Sequence, residues 1–218
     1  MFIPYRTDAP LYHWPIATIG LIVACVALFT ATELEAIDGG PLVLHYDQLA
    51  PHQWITSNLM HADAWHLIGN VIFLWVFGMI VEGKIGWWRF VLVFLALAVP
   101  QCALEQLVFT DGASLGASAV VYGLIGISLI WAPENEVEVA WVLLMRAGTF
   151  EVRVRTLALF YAGLDGLWLV LGLLAWGFGA STELLHLTGF GLGLAVGTAM
   201  LRRGLVNGEG WDWYSVRR

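Results

Sequence analysis

The sequence predicts an all-α membrane protein, a bundle of six transmembrane helices with both termini on the cytoplasmic side. Three observations predict it. Of the 218 residues, 59% are hydrophobic and only 12% are charged, and the mean hydropathy is +0.76, whereas a soluble domain rarely exceeds about half apolar. The apolar residues gather into long continuous runs, which suit helices and exclude the short alternating strands of a membrane barrel. The basic residues fall in every second connection, as the positive-inside rule requires of an even number of spans.

A bilayer span needs about 20 mostly apolar residues, and the runs at 14–32, 65–82, 87–109, 114–132, 156–178 and 184–201 meet that length. The fourth contains Gly116, Gly123 and Gly126, and the sixth Gly189, Gly193 and Gly197. Small residues four apart allow helices to approach closely, so these two are expected to pack as a pair. The size suits a single domain: residues 1–13 as a cytoplasmic N-terminus, 14–202 as the membrane domain and 203–218 as a cytoplasmic interfacial tail. No cleavable signal is expected, since the first residues lack a basic stretch followed by a small-residue cleavage site. Cys25 and Cys102 lie in apolar runs and read as free buried thiols.

The ten Lys and Arg residues are Arg6, Lys84, Arg89, Arg146, Arg153, Arg155, Arg202, Arg203, Arg217 and Arg218. They occupy the N-terminus, the second and fourth loops and the C-terminus. The first, third and fifth loops carry only acids, such as Glu33, Glu35, Asp38, Asp47, Asp111 and Glu183. A net charge of −7 argues against nucleic acid as a partner. The second, fourth and sixth helices then start at the outer face, with His66 and Asn70, Ser118, and His186 near their starts. At ~1.5 Å rise per residue these groups should lie about 5–10 Å below those starts, forming one shallow polar site open to the outside.

Three connecting segments stand out. The first loop, about 33–64, is long and contains His45, Pro51, His52 and Trp54, which suggests a functional or interfacial role. The fourth loop alternates polar and apolar residues through Glu136-Val137-Glu138-Val139 and Glu151-Val152-Arg153-Val154-Arg155, which predicts an amphipathic hairpin at the cytoplasmic interface. The tail Trp211-Asp212-Trp213-Tyr214, followed by Arg217-Arg218, reads as an interfacial anchor.

Polar side chains at membrane depth are functional candidates, because hydrocarbon offers them no water. A serine hydroxyl is a poor nucleophile until a neighbouring base takes its proton, and His186 can serve Ser118 if the fourth and sixth helices touch. The attacked carbonyl oxygen then needs donors. His66 and Asn70, four apart on one helix face, and the Ser118 backbone N–H at a positive helix terminus can supply them. Tyr122, one turn beyond Ser118, can pack its ring on His186. The set amounts to acyl transfer to water. Each residue alone also has a packing explanation; the conjunction of all five at one depth carries the functional reading.

These residues also carry a family resemblance. His61-Ala-Asp-Ala-Trp-His66-Leu-Ile-Gly-Asn70 resembles the His-x4-His-x3-Asn signature of rhomboid intramembrane proteases, and Leu115-Gly116-Ala117-Ser118-Ala-Val-Val-Tyr122-Gly resembles their nucleophile motif. His186-Leu-Thr-Gly189-Phe-Gly-Leu-Gly193 is similar to their histidine helix, and Leu74-Trp75-Val76-Phe77-Gly78 with Val81-Glu82 fits the end of their second helix. The match runs over about residues 48–203. It implies a six-helix bundle of rhomboid type and a catalytic Ser118–His186 dyad with no third carboxylate. It further implies oxyanion stabilisation by His66 and Asn70, positioning by Tyr122 and Gly116, and no cofactor. The implied substrates are single-pass or other membrane proteins, cleaved in or near their transmembrane segments, and the implied location is a bacterial inner membrane. A non-catalytic relative that binds transmembrane helices is the alternative, and a small transporter using Asp165 ranks last because no paired broken segments occur.

The chain departs from the family pattern at Ala119, where Gly commonly follows the serine, and at Gln53, where an Arg often precedes Thr56. Asp165, midway through the fifth helix, is expensive there as an ion; it is expected either to be protonated or to bond a neighbouring helix, with a catalytic role left open. Glu82 and Glu105 read as structural. No metal site is expected, since His61 and His66 do not share a helix face and no His-Glu-x-x-His run occurs.

Overall fold

A computed structural model describes residues 2–144 and 146–216. The described chain is mostly helical, with strand β1 (Phe2–Thr7) followed by α1 (Ile16–Glu33), β2 (Leu44–His45), a short α2 (Gln53–Thr56), α3 (Ala64–Ile85) and α4 (Trp87–Val108). Then come β3 (Ala113–Ser114), α5 (Ser118–Trp131), β4 (Glu136–Leu143), β5 (Arg146–Arg153), α6 (Val154–Trp176) and α7 (Thr182–Arg202). The helices α1, α3, α4, α6 and α7 are long and apolar enough to cross a membrane. This is an integral, multi-pass membrane protein.

The fourth predicted segment differs from expectation. Residues 113–114 pair with β2, Gly116 adopts φ of 118°, and the helix opens only at Ser118 and runs 14 residues. At 1.5 Å per residue that is roughly 21 Å, shorter than the ~30 Å hydrocarbon core. A short helix is tolerable at this place because its neighbours enclose it. Every residue of α5 except Ser118 and Tyr122 is buried, whereas α6 fully buries only Val154 and Ala158.

The enclosure depends on glycine. A β-carbon placed on Gly189 would lie 2.0 Å from the Ala119 carbonyl oxygen, and one on Gly193 would lie 2.0 Å from that of Gly123. From the other side, a β-carbon on Gly126 would meet the Phe190 carbonyl oxygen at 2.5 Å. The expected pairing of the fourth and sixth segments is therefore a backbone-to-backbone contact between α5 and α7.

Buried carboxylates fix other joints. Glu82, fully buried in the last turn of α3, accepts from the N–H groups of Ala17 (2.8 Å) and Thr18 (2.7 Å) and from the Thr18 hydroxyl (2.7 Å). A carboxylate thus meets the positive start of α1, where orphan N–H groups need acceptors. Glu105 of α4 accepts from Tyr46 at 3.0 Å and from Gln101 at 3.3 Å, tying the first loop to the bundle. Both acids do the structural work the sequence suggests. Gln53, in the place where an Arg is usual, is also an anchor: its side chain accepts from His45 N–H at 3.1 Å and donates to the Pro41 carbonyl at 3.3 Å.

The predicted hairpin is present as β4 and β5, paired from Glu136↔Arg153 to Leu143↔Arg146. Beyond this hairpin, β1 adds a third antiparallel strand along β4. Val137 and Val139 turn their side chains into the core from this sheet. The tail folds back on the same end: Trp213 N–H donates to the Ile130 carbonyl at 2.9 Å, and Glu209 faces Lys84 at 3.7 Å. Trp211 is exposed and Trp213 is packed, so the tail is only partly free to serve as an anchor; Arg217 and Arg218 lie outside the described residues.

The glycine contact yields a direct test. Gly193→Ala should destabilise the bundle by about 1–3 kcal/mol or more through overpacking and lower the melting temperature in detergent. Gly172→Ala, facing open space on α6, should leave that temperature unchanged or slightly raised. Equal melting temperatures for the two variants would rule out the close α5–α7 contact.

Candidate active site

The beginnings of α3, α5 and α7 converge on one cavity of about 250 Å³, lined among others by His66, Asn70, Ser118, Tyr122, Tyr161 and His186. Every predicted catalytic or oxyanion residue therefore reaches the same space. Each arrives there through a local device. Asp63 caps α3 by accepting from the His66 N–H at 2.9 Å, which is the usual N-cap bond. Ser181 caps α7 through the Leu184 N–H at 3.3 Å, which sets the start of the helix that carries His186.

Ser118 stands at the first position of α5. The N–H groups at a helix start have no intrahelical acceptor, so the cavity meets a serine hydroxyl beside unpaired backbone donors. Gly116 makes this approach possible. Its φ of 118° suits glycine alone, and a β-carbon there would strike His66 Cε1 at 2.6 Å. Its N–H donates to the Ser57 carbonyl at 2.9 Å, which pins the turn to the first loop.

The His186 imidazole stacks on the Tyr122 ring with centroids 4.1 Å apart and planes 14° from parallel, the packing expected from the sequence. Asn70 turns its amide to the His66 carbonyl at 3.0 Å; an amide nitrogen carries two hydrogens, so one remains for another acceptor. The His61 and His66 rings meet edge-on at 5.2 Å.

One contact lies outside the two-member site that the resemblance implies. His186 Nδ1 is 2.8 Å from Asp165 Oδ2, and the two side chains are only 15% and 14% exposed. Asp165 therefore bonds a neighbouring helix, one of the two readings the sequence leaves open. The site residues of α3, α5 and α7 all lie within the first two turns of their helices, whereas Asp165 reaches them from midway along α6. Tyr161 was missed in the sequence. It is four residues before Asp165, hence on the same helix face, and its ring meets Phe73 of α3 edge-on at 5.1 Å; that spacing was the available signal.

Comparison with known proteins identifies the family. The family model described as the rhomboid domain matches residues 49–203. The chain belongs to the rhomboid family. It is 28% identical over 165 residues to rhomboid-type serine protease 2 of Emericella nidulans, covering 72% of this chain and 29% of that protein. It is 32% identical over 90 residues to the rhomboid protease GluP of Bacillus subtilis, covering 40% of this chain and 18% of that one. It is 37% identical over 93 residues to rhomboid-like protein 11, chloroplastic, of Arabidopsis thaliana, covering 41% of this chain and 32% of that protein. The chain thus spans a third or less of the length of these relatives.

His61, just outside α3, gives the site a pH-sensitive neighbour. Burial, reinforced by the adjacent His66 ring, pushes its imidazole down to about 4, against about 6.5 in an unfolded chain. Below about pH 6.5 the unfolded state takes up a proton that the folded state refuses until about 4, so stability falls across that interval as pH drops. The melting temperature of the wild type should therefore decline more steeply between pH 7 and pH 5 than that of His61→Gln. Parallel declines would exclude His61 as the buried neutral group responsible.

Proposed function

We propose that the protein is an intramembrane serine endopeptidase that hydrolyses peptide bonds in or near the transmembrane segments of membrane proteins. The observation that carries this reading is the meeting of Ser118 and His186 in one cavity, with the imidazole stacked on Tyr122. Membership of a family whose named relatives include serine proteases supports it.

In this reading Ser118 Oγ attacks the scissile carbonyl while His186 Nε2 takes its proton. The developing oxyanion is met by the Ser118 N–H and by donors from His66 and Asn70. Preorganised donors of this kind act most strongly where water is scarce. Proton return from Nε2 to the leaving amine releases the first product, and water then hydrolyses the acyl-enzyme by the same route. Gly116 and Tyr122 position the nucleophile and the base. A helical substrate must unwind locally to expose its peptide bond, so weakly helical, Gly-bearing segments are the favoured targets.

For topology, the described basic residues gather at the sheet-bearing end, so by the positive-inside rule both termini lie in the cytoplasm and the cavity opens outward. The membrane domain is 14–202, the tail beyond it is interfacial, and the host membrane is a bacterial inner membrane. No cofactor is required by this chemistry.

The test is labelling of the detergent-solubilised protein by a fluorophosphonate, followed by cleavage of a transmembrane substrate. Ser118→Ala should abolish both while preserving the melting temperature, and His186→Ala should reduce labelling by at least about 10³-fold. Proteolysis undiminished in Ser118→Ala would sink the reading. A folded wild type that never labels would favour a non-catalytic binder of transmembrane helices. Because the working base is a neutral imidazole, activity should also fall on the acid side as it protonates; activity that stays level down to the pH at which the protein unfolds would contradict this.

A further inference from the structure

The contact between α6 and α7 adds a residue to this site, an inference whose catalytic consequence rests on the protease reading above. We propose that Asp165 is a positioning residue. Its carboxylate holds the His186 proton on Nδ1 and so keeps the Nε2 lone pair available to Ser118.

A carboxylate only accepts hydrogen bonds, so an ionised Asp165 at 2.8 Å from Nδ1 requires that nitrogen to carry the hydrogen. A neutral imidazole has one N–H, so Nε2 is then bare. Nε2 is buried and has no hydrogen-bond partner among the described residues, and His186 lines the cavity that Ser118 also lines. The ring cannot readily turn over to exchange its nitrogens, because Tyr122 covers one face at 4.1 Å. An imidazole with the opposite tautomer would present an N–H to the serine and accept no proton.

The pair also accounts for an otherwise costly residue. A carboxylate midway along an apolar helix is unfavourable unless it is bonded, and Asp165 finds its partner on the next helix. Since α6 fully buries only Val154 and Ala158, this bond is a directional tie on a helix that is otherwise lightly packed. During attack the Ser118 Oγ–H proton passes to Nε2 as the Oγ–C bond forms and the carbonyl pair moves onto oxygen. Collapse breaks the C–N bond, and the same proton leaves with the amine. Asp165 takes no proton in either step; its charge faces the imidazolium while that ion exists.

The experiment compares wild type, Asp165→Asn and Ser118→Ala as full-length proteins in detergent, with two readouts. The first is the rate of fluorophosphonate labelling. Asp165→Asn should retain its melting temperature but label at least about 10²-fold more slowly, since amide replacement of the orienting carboxylate in a serine-protease triad costs up to about 10⁴-fold. The second is the ¹⁵N spectrum of histidine-labelled protein, with His186 assigned by its loss in His186→Gln. Wild type should show the Nδ1–H tautomer at His186, and Asp165→Asn should lose that preference. Labelling within threefold of wild type, or a tautomer unchanged by the substitution, would overturn the proposal. If wild type does not label, the protease reading fails, and the tautomer measurement alone still decides whether Asp165 orients the ring.

Discussion

The backbone contact between α5 and α7 is the constraint on which the rest of the site depends. Two helices that carry ordinary side chains at their interface lie 8–10 Å apart; here Gly189 and Gly193 let α7 rest directly on the carbonyls of Ala119 and Gly123. Ser118 is the residue next to Ala119, and His186 is three residues before Gly189. The same approach that packs the helices therefore brings hydroxyl and imidazole into one cavity without a long side chain having to span a gap. It also encloses α5, which lets that helix be too short to cross a bilayer and start within the bundle.

Several of the polar groups inside this bundle join one element to another. Glu82 meets the start of α1, Glu105 collects the first loop, Gln53 holds two of that loop's turns, and Asp165 ties α6 to α7. In hydrocarbon a bonded carboxylate is a rigid joint, since releasing it would leave a charge without water. The protein thus fixes helix positions by directed bonds at a few points and fills the remaining contact with apolar side chains. Trp131 illustrates the same economy, donating to the Gly197 carbonyl at 2.9 Å while wholly buried.

Much of this was legible in the sequence, for identifiable reasons. Long apolar runs and segregated charges define helices in a bilayer because the backbone has few other ways to satisfy itself there. Glycines four apart mark the packed pair, and Ser118, Tyr122 and His186 could be joined once that pair was accepted. What was not legible depends on rotation and offset between helices. The start of α5 at Ser118 follows from the turn at Gly116 and the small β2–β3 pairing, both set by distant partners. Strand β1 forms only because β4 offers it an edge. The partner of Asp165 depends on which way α6 faces, and a lightly buried helix carries little periodic signal of its orientation.

The proposed nucleophile and base come from α5 and α7, which are locked together, while the orienting carboxylate comes from α6, which fully buries only Val154 and Ala158. A shift of α6 would leave Ser118 and His186 in place yet remove the bond that selects the imidazole tautomer. The competence of the base therefore depends on the placement of α6 as well as on the α5–α7 contact.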